Sequence, residues 1–281
     1  MSERSGTSLT STEAATAAVP RRPGLAGWRP ALSVGAAQLV LVAALLALWE
    51  WSTARGAASA FLFGSPSAIF GHLVRMFADG SVWGDAWVTG IETLAGFALG
   101  NVLGTAVGLL LWYSRLVSRV LQPFILALGS IPIVALAPIV IIWFGTGFAS
   151  KLAMSTLSVV VVALVISYKG ATGVDPDQVN LMRSLGATRH QIFRLLVVPA
   201  SLTDIFAGLK LTVGFALVGA IVGEFMSSAD GLGHAIFKAG SLYVIAKVFA
   251  ELVVTMALAL LLSGVVSRVE RWLLPWRHDL Q

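Results

Sequence analysis

Residues 91–111 read IETLAGFALGNVLGTAVGLLL. The stretch holds one charge, Glu92, near its start, and a glycine at every fourth position: Gly96, Gly100, Gly104 and Gly108. A helix needs about 20 apolar residues to cross the hydrocarbon core of a bilayer, and this run supplies them. Glycines four apart drift only slowly round a helix, leaving a flat groove along which a second helix can approach closely. The run therefore predicts a membrane-spanning helix packed in a bundle interior or at a subunit interface. A β-barrel strand would instead alternate over about ten residues.

That span extends over 89–112, and five further apolar runs lie near 31–51, 121–144, 149–168, 207–226 and 248–267. Composition agrees: 57% of residues are apolar and 12% charged, with mean hydropathy +0.86, whereas soluble domains are about 25% charged. The predicted fold class is an all-α integral membrane protein of six spans. The third run is irregular, because PFILALGSIPIVALAPIVIIWFG carries Pro123, Pro132 and Pro138. The last two are expected to kink or open the helix. Backbone carbonyls freed there make Ser130, Pro132 and Pro138 candidates for lining a pathway, a plain structural kink being the other reading. Residues 1–30 lack an apolar core and are expected to form a disordered tail, leaving 31–281 as the transmembrane domain.

Cationic residues favour the cytoplasmic side of a membrane. Threading six spans alternately puts only Arg55, Arg75, Lys151, Lys238 and Lys247, of 19 Lys and Arg, on the outer side. Both termini are thus expected in the cytoplasm. Tryptophan prefers membrane interfaces. Trp49, Trp51, Trp83, Trp87 and Trp143 fall at outer span ends and Trp28, Trp112, Trp272 and Trp276 at inner ends. The outer segment FGSPSAIFGHLVRMF, residues 63–77, reads as a surface helix capped by Ser65, with Ile69, Phe70, Leu73, Val74 and Phe77 on one face.

Several chemistries are excluded. The chain has no Cys, hence no thiol nucleophile or disulfide. His72 and His234 have no neighbour at metal-ligand spacing. No GxxxxGK[ST] phosphate loop occurs, so the chain is not expected to hydrolyse ATP itself. Glu92, Glu224 and Glu251 map near outer span ends and are expected to be solvated or paired with Lys238 or Lys247. Lys210 is expected to snorkel to the interface.

The inner connection 169–206 is the longest. In VDPDQV, residues 174–179, Asp175 suits an N-cap, Pro176 the first helical position and Gln178 a capping box. Gly186 suits a left-handed turn. A second helix follows from Ala187 or Thr188, with Ile192, Leu195 and Leu196 on an apolar stripe, and is expected to end at Pro199. Such a pair of short helices lying along the membrane fits either of two roles. Its arginines could bind anionic lipid, or its turn could dock a cytoplasmic partner.

RSLGATRHQIFRLLVVPAS, residues 183–201, resembles the loop signature of bacterial ABC-importer permeases: Glu-Ala-Ala, three residues, Gly, nine residues, Ile, one residue, Leu-Pro. Here those positions hold Asn180, Leu181 and Met182, then Gly186, then Leu196, Val198 and Pro199. IETLAGFALGNVLGTAVGLLL, IPIVALAPIVIIWFGTG, GEFMSSADGLGHAI and the terminal LLPWR are similar to the nitrate/sulfonate/taurine branch of that family. The resemblance implies a six-span type I ABC importer transmembrane domain in the bacterial cytoplasmic (inner) membrane. The coupling element would comprise Asn180, Leu181, Met182, Arg183, Ser184, Leu185, Gly186, Ala187 and Pro199. It implies two ATP-binding subunits holding ATP and magnesium, an extracytoplasmic substrate-binding protein, and a permease homodimer. It implies no cofactor in this chain, no nucleic-acid partner, and a small solute of the sulfonate, nitrate, taurine or vitamin-precursor kind. The one departure is the missing Glu-Ala-Ala, which removes the carboxylate expected to meet the ATPase. A self-contained secondary transporter or channel is the alternative. It is disfavoured by the lack of paired acids at mid-span and of an inverted repeat.

Overall fold

A computed structural model describes residues 28–56 and 59–273. Trp276, Arg277 and residues 1–27 of the expected tail lie outside the described residues. The chain divides into two units, Met1–Leu48 and Trp49–Gln281. Within the first, α1 (Trp28–Ala54) begins as an uninterrupted apolar helix whose Leu39, Val40 and Leu48 are exposed.

In the second unit α1 ends, and α2 (Ala60–Phe63), α3 (Pro66–Ala78) and α4 (Ser81–Leu110) follow. A 3-10 turn, Leu111–Tyr113, leads to α5 (Arg115–Gly129), α6 (Ile133–Phe144) and α7 (Phe148–Thr172). Next come α8 (Pro176–Ser184), α9 (Arg189–Ile192), α10 (Val198–Ser227), α11 (Leu232–Ser241) and α12 (Ile245–Leu273). Val34–Ala54, Ser81–Tyr113, Phe148–Thr172, Arg189–Ser227 and Ile245–Trp272 are each long and apolar enough to cross a membrane, and α5 with α6 make a sixth, broken one.

The packing centre is α4, α7 and α10, which contact one another. Small residues bring them close. On α4, Gly96, Gly100, Gly104 and Gly108 are buried, and a Cβ at Gly100 would lie 2.6 Å from the Val159 side chain and 2.9 Å from the Thr156 carbonyl. Gly219 and Gly223 on α10 meet α7 at Ser155 and Lys151. Buried hydroxyls tie the three helices: Ser155 donates to the Ala216 carbonyl at 2.9 Å, and Thr212 to Asn101 at 3.1 Å. α12 closes on α10 through Val213, Leu262 and Val266.

The third span breaks by 95° between Gly129 and Ile133. Only Pro132 sits at the break. A proline pushes the preceding residue, here Ile131, out of helical conformation, and Pro132 itself is extended (ψ 122°). Pro138, also expected to disturb the span, lies inside α6 without ending it, as Pro123 does inside α5.

Pro199 does not end a helix either. Arg189–Ser227 runs as one helix of 39 residues. Proline has no N–H and its ring presses on the carbonyl four residues back. The chain accommodates it by widening one turn, Phe193–Val197, to π geometry, with the Val198 N–H reaching the Phe193 carbonyl. The expected second amphipathic helix is therefore the first part of span five, next to α8. Its start is fixed by a capping box: Thr188 accepts from the Gln191 N–H at 3.3 Å, while Gln191 accepts from the Thr188 N–H at 2.7 Å. Thr188→Ala should weaken this start by about 1 kcal/mol, seen as faster amide exchange over residues 189–197.

Two more expectations change. In α3, Ser65 caps the Ala68 N–H as expected, but the apolar face splits. Ile69 and Met76 are buried with Leu73 against α12, while Phe70, Val74 and Phe77 point outward. The residues sit on two adjacent helical stripes, and α12 covers one. Lys210 does not simply snorkel: its ammonium pairs with Glu270 on α12 at 2.6 Å. Outside the spans, the Ser81 N–H donates to Asp79 and holds its carboxyl below the usual carboxylate range. A depressed folded-state pKa contributes stability at neutral pH that is lost as pH falls through the lowered value.

Candidate functional site

Residues 173–188 are the only part of the expected 169–206 connection outside the two long helices. Asp175 caps α8 by accepting from the Asp177 N–H at 2.9 Å, rather than through a box with Gln178. At the other end, the Gly186 N–H bonds the Arg183 carbonyl (2.9 Å) and the Ala187 N–H the Met182 carbonyl (3.0 Å). That pair of bonds is a Schellman ending. It needs a left-handed residue at its corner, and Gly186 has φ +79°.

The α8 helix has two unlike faces. Val179, Met182 and Ala187 sit on an apolar seat made by buried Ala171, Ile192 and Val197. Asn180, Leu181, Arg183, Ser184, Leu185 and Gly186 are exposed, with Leu181 at 61% and Leu185 at 75%. The two bulky residues standing where the family has alanine thus divide: Met182 is drawn into the seat and Leu181 projects. Pro199 lies apart from the turn, inside the widened helix.

The seat is braced by aromatic rings. Tyr113 packs on Phe193 (centroids 4.6 Å) and Trp112 on Phe193 (5.6 Å). The Arg189 guanidinium lies 5.5 Å from the Trp112 ring centre, and the Tyr113 hydroxyl is 3.2 Å from His190 Nδ1. These contacts tie the α8 end of α4 to the start of the long α9–α10 helix.

At the opposite end, the three glutamates are not solvated. Glu92, Glu224 and Glu251 are 3%, 0% and 2% exposed. Neither Lys238 nor Lys247 forms an ion pair with them. Glu224 accepts from the Thr89 hydroxyl at 2.7 Å and the Gly233 N–H at 2.6 Å. Thr89 also receives the Leu232 N–H (2.9 Å), and Asp85 the Gly231 N–H (3.0 Å). Three successive amides at the start of α11 therefore end on side chains of α4 and α10, answering the helix's unsatisfied donors and positive end. A Cβ at Gly233 would meet Glu224 at 2.7 Å. Lys151, also buried, donates to the Ser227 carbonyl at 2.9 Å and to the Thr146 carbonyl. The sequence reading missed α11 as an element. The signal was there in an acid within an apolar run followed by Gly-x-Gly. Glu224→Ala should orphan the Thr89 and Gly233 donors, cost about 2–4 kcal/mol, and show as a lower melting temperature with early exchange of α11.

Ser130, Pro132 and Pro138 are exposed along α5–α6. The Ser130 hydroxyl donates to the Leu126 carbonyl at 2.9 Å. They stand apart from α8. Among the described residues, no group of three His, Asp or Glu is placed to hold a metal ion.

Six apolar helical segments, a broken third span and a short exposed helix between spans four and five make a multi-span membrane protein. Residues 100–275 match the family described as "Binding-protein-dependent transport system inner membrane component", and the chain belongs to that family of ABC transporter permeases. The formylaminopyrimidine transport permease protein ThiX of Halalkalibacterium halodurans is 31% identical over 83% of this chain and 92% of its own length. A Bacillus subtilis permease assigned to aliphatic sulfonate transport, SsuC, is 29% identical over 94% of each chain. The Escherichia coli taurine transport system permease protein TauC is 26% identical over 85% of this chain and 89% of its own. A chain of the MetNI methionine ABC transporter in an inward-facing conformation superposes with TM-score 0.59 over 66% of this chain and 93% of that one, at 20% identity. That last likeness concerns the fold alone.

Proposed function

We propose that this chain forms the translocation pathway of an ATP-driven importer for a small solute of the sulfonate, nitrate, taurine or vitamin-precursor kind. It works as a homodimer with both termini in the cytoplasm. Two separate ATPase subunits, which hold ATP and magnesium, receive the exposed face of α8. An extracytoplasmic binding protein delivers solute at the α11 end. Ser130, Pro132 and Pro138 line the pathway where the third span opens.

The observation that carries the reading is the mounting of α8. Its exposed face offers two large apolar side chains, Leu181 and Leu185, and its seat is shared by spans four and five and the inner end of span two. A push on such a helix moves spans rather than a loose loop. Two apolar knobs beside Asn180, which stands at the family's carboxylate position, suit a partner groove that is itself apolar at that point. The relatives whose names give sulfonates, taurine and formylaminopyrimidine support that range of solutes.

The test is co-purification with candidate ATPase subunits, followed by ATP hydrolysis in lipid nanodiscs. A stable complex whose hydrolysis responds to solute-loaded binding protein is expected. Failure to bind any ATPase would overturn the proposal.

A further inference from the structure

At the end of the bundle that carries α8, a cavity of about 440 Å³ lies between α5, α7 and α8. Arg115, Arg119, Arg183 and Arg189 line it, and no acidic side chain is among the described lining residues. Four like charges round one cavity repel one another. Such a set is stabilised when an anion sits among them, and guanidinium groups suit phosphate oxygens in particular because they bond them in pairs.

The floor of this cavity is buried Ser118, hydrogen-bonded to Tyr168. On the far side of these two residues and Leu111 a second cavity of about 250 Å³ begins, lined by all three. It runs up the crevice between α5 and α7 among Ile125, Leu126, Leu164 and Val165. Lys169 stands at its edge. A basic chamber that shares Leu111, Ser118 and Tyr168 with an apolar slot along two spans matches an amphiphile. A free anion would use the first chamber and leave the slot without purpose. Basic pockets between spans are known to hold phospholipid headgroups.

We propose that this site binds an anionic phospholipid, with its phosphate among Arg115, Arg119, Arg183 and Arg189 and one acyl chain in the α5–α7 crevice. The lipid bridges α5 to the seat of α8, so it braces the first half of the broken span against the docking helix. The inference goes beyond the transport reading and does not depend on it.

The experiment uses the full chain reconstituted in vesicles of equal parts phosphatidylglycerol and phosphatidylcholine, extracted in mild detergent and weighed by native mass spectrometry. Retained lipid should be enriched in phosphatidylglycerol about tenfold, the scale expected for more than one cationic contact with an anionic headgroup. Arg115→Gln with Arg119→Gln should abolish the enrichment. Leu126→Trp, an exposed position where folding is not at risk, should fill the crevice and lower lipid retention with every arginine intact. Equal retention of the two lipids would overturn the proposal, as would undiminished enrichment in the arginine variant. Displacement of the lipid by millimolar inorganic phosphate, with phosphate bound equally well by Leu126→Trp, would show a free-phosphate site and overturn it too.

Discussion

Gly186→Asp is expected to insert, fold and dimerise, yet to lose the stimulation of ATP hydrolysis by loaded binding protein. The reasoning rests on what the substitution leaves alone. Aspartate is one of the few residues that tolerate the left-handed region. A Cβ at this corner would meet nothing within 4 Å. Strain is therefore small and the Schellman bonds survive. What changes is a charge at the crest of the exposed face, beside Leu185. Burying an unpaired charge in a protein interface costs about 2–5 kcal/mol, which would weaken docking roughly 30-fold or more. Gly186→Val is the companion variant. A β-branched residue at positive φ is a genuine outlier, so it should loosen α8 itself, visible as increased amide exchange over residues 176–187. Coupling lost in both, with α8 protected only in the aspartate variant, would place the effect at the docking surface. Full coupling in Gly186→Asp would remove α8 from that role.

The second large effect is expected at Gly104. A Cβ there would lie 2.8 Å from that of Ala163 and 2.9 Å from the Leu164 backbone nitrogen. The obstruction is partly backbone, which cannot rotate away. Gly104→Ala should force α4 and α7 apart and cost about 1–3 kcal/mol, the range for overpacking; Gly104→Leu should leave little folded protein. Gly214 on α10 is the control, because a Cβ there meets nothing within 4 Å. Gly214→Ala should be neutral or slightly stabilising, since alanine favours helix. Thermal unfolding in detergent would separate the two. Equal melting temperatures for Gly104→Ala and Gly214→Ala would contradict the close packing of α4 on α7.

Much of this fold was legible because bilayer solvation acts on long uniform runs. The six apolar segments follow from length and polarity alone, and the turn at Gly186 from local capping chemistry. The misreadings share one physical origin: they concern what a neighbouring helix does to a local rule. Pro199 reads as a stop, but a single widened turn absorbs it. Pro138 reads as a break equal to Pro132, yet only Pro132 has an adjacent Gly129–Ser130 exit. Glu224 reads as a solvated end because its partners, Thr89 and Gly233, lie 135 and 9 residues away. The exposed face of α8 was legible as a candidate element, whereas the inward turn of Met182 and outward turn of Leu181 depend on the seat beneath them.

The uninterrupted helix from Arg189 to Ser227 has a consequence for how the two ends of the protein can communicate. At about 1.5 Å per residue, its 39 residues make a rod of nearly 60 Å. One end abuts the Gly186 turn and the other carries Glu224, the anchor of α11. Any coupling carried along it is thermodynamically reciprocal: an effect of the contacts of α11 on those of α8 is matched by an equal effect in return. A break at Pro199 would have put the two ends on separate helices; the widened turn keeps them on one.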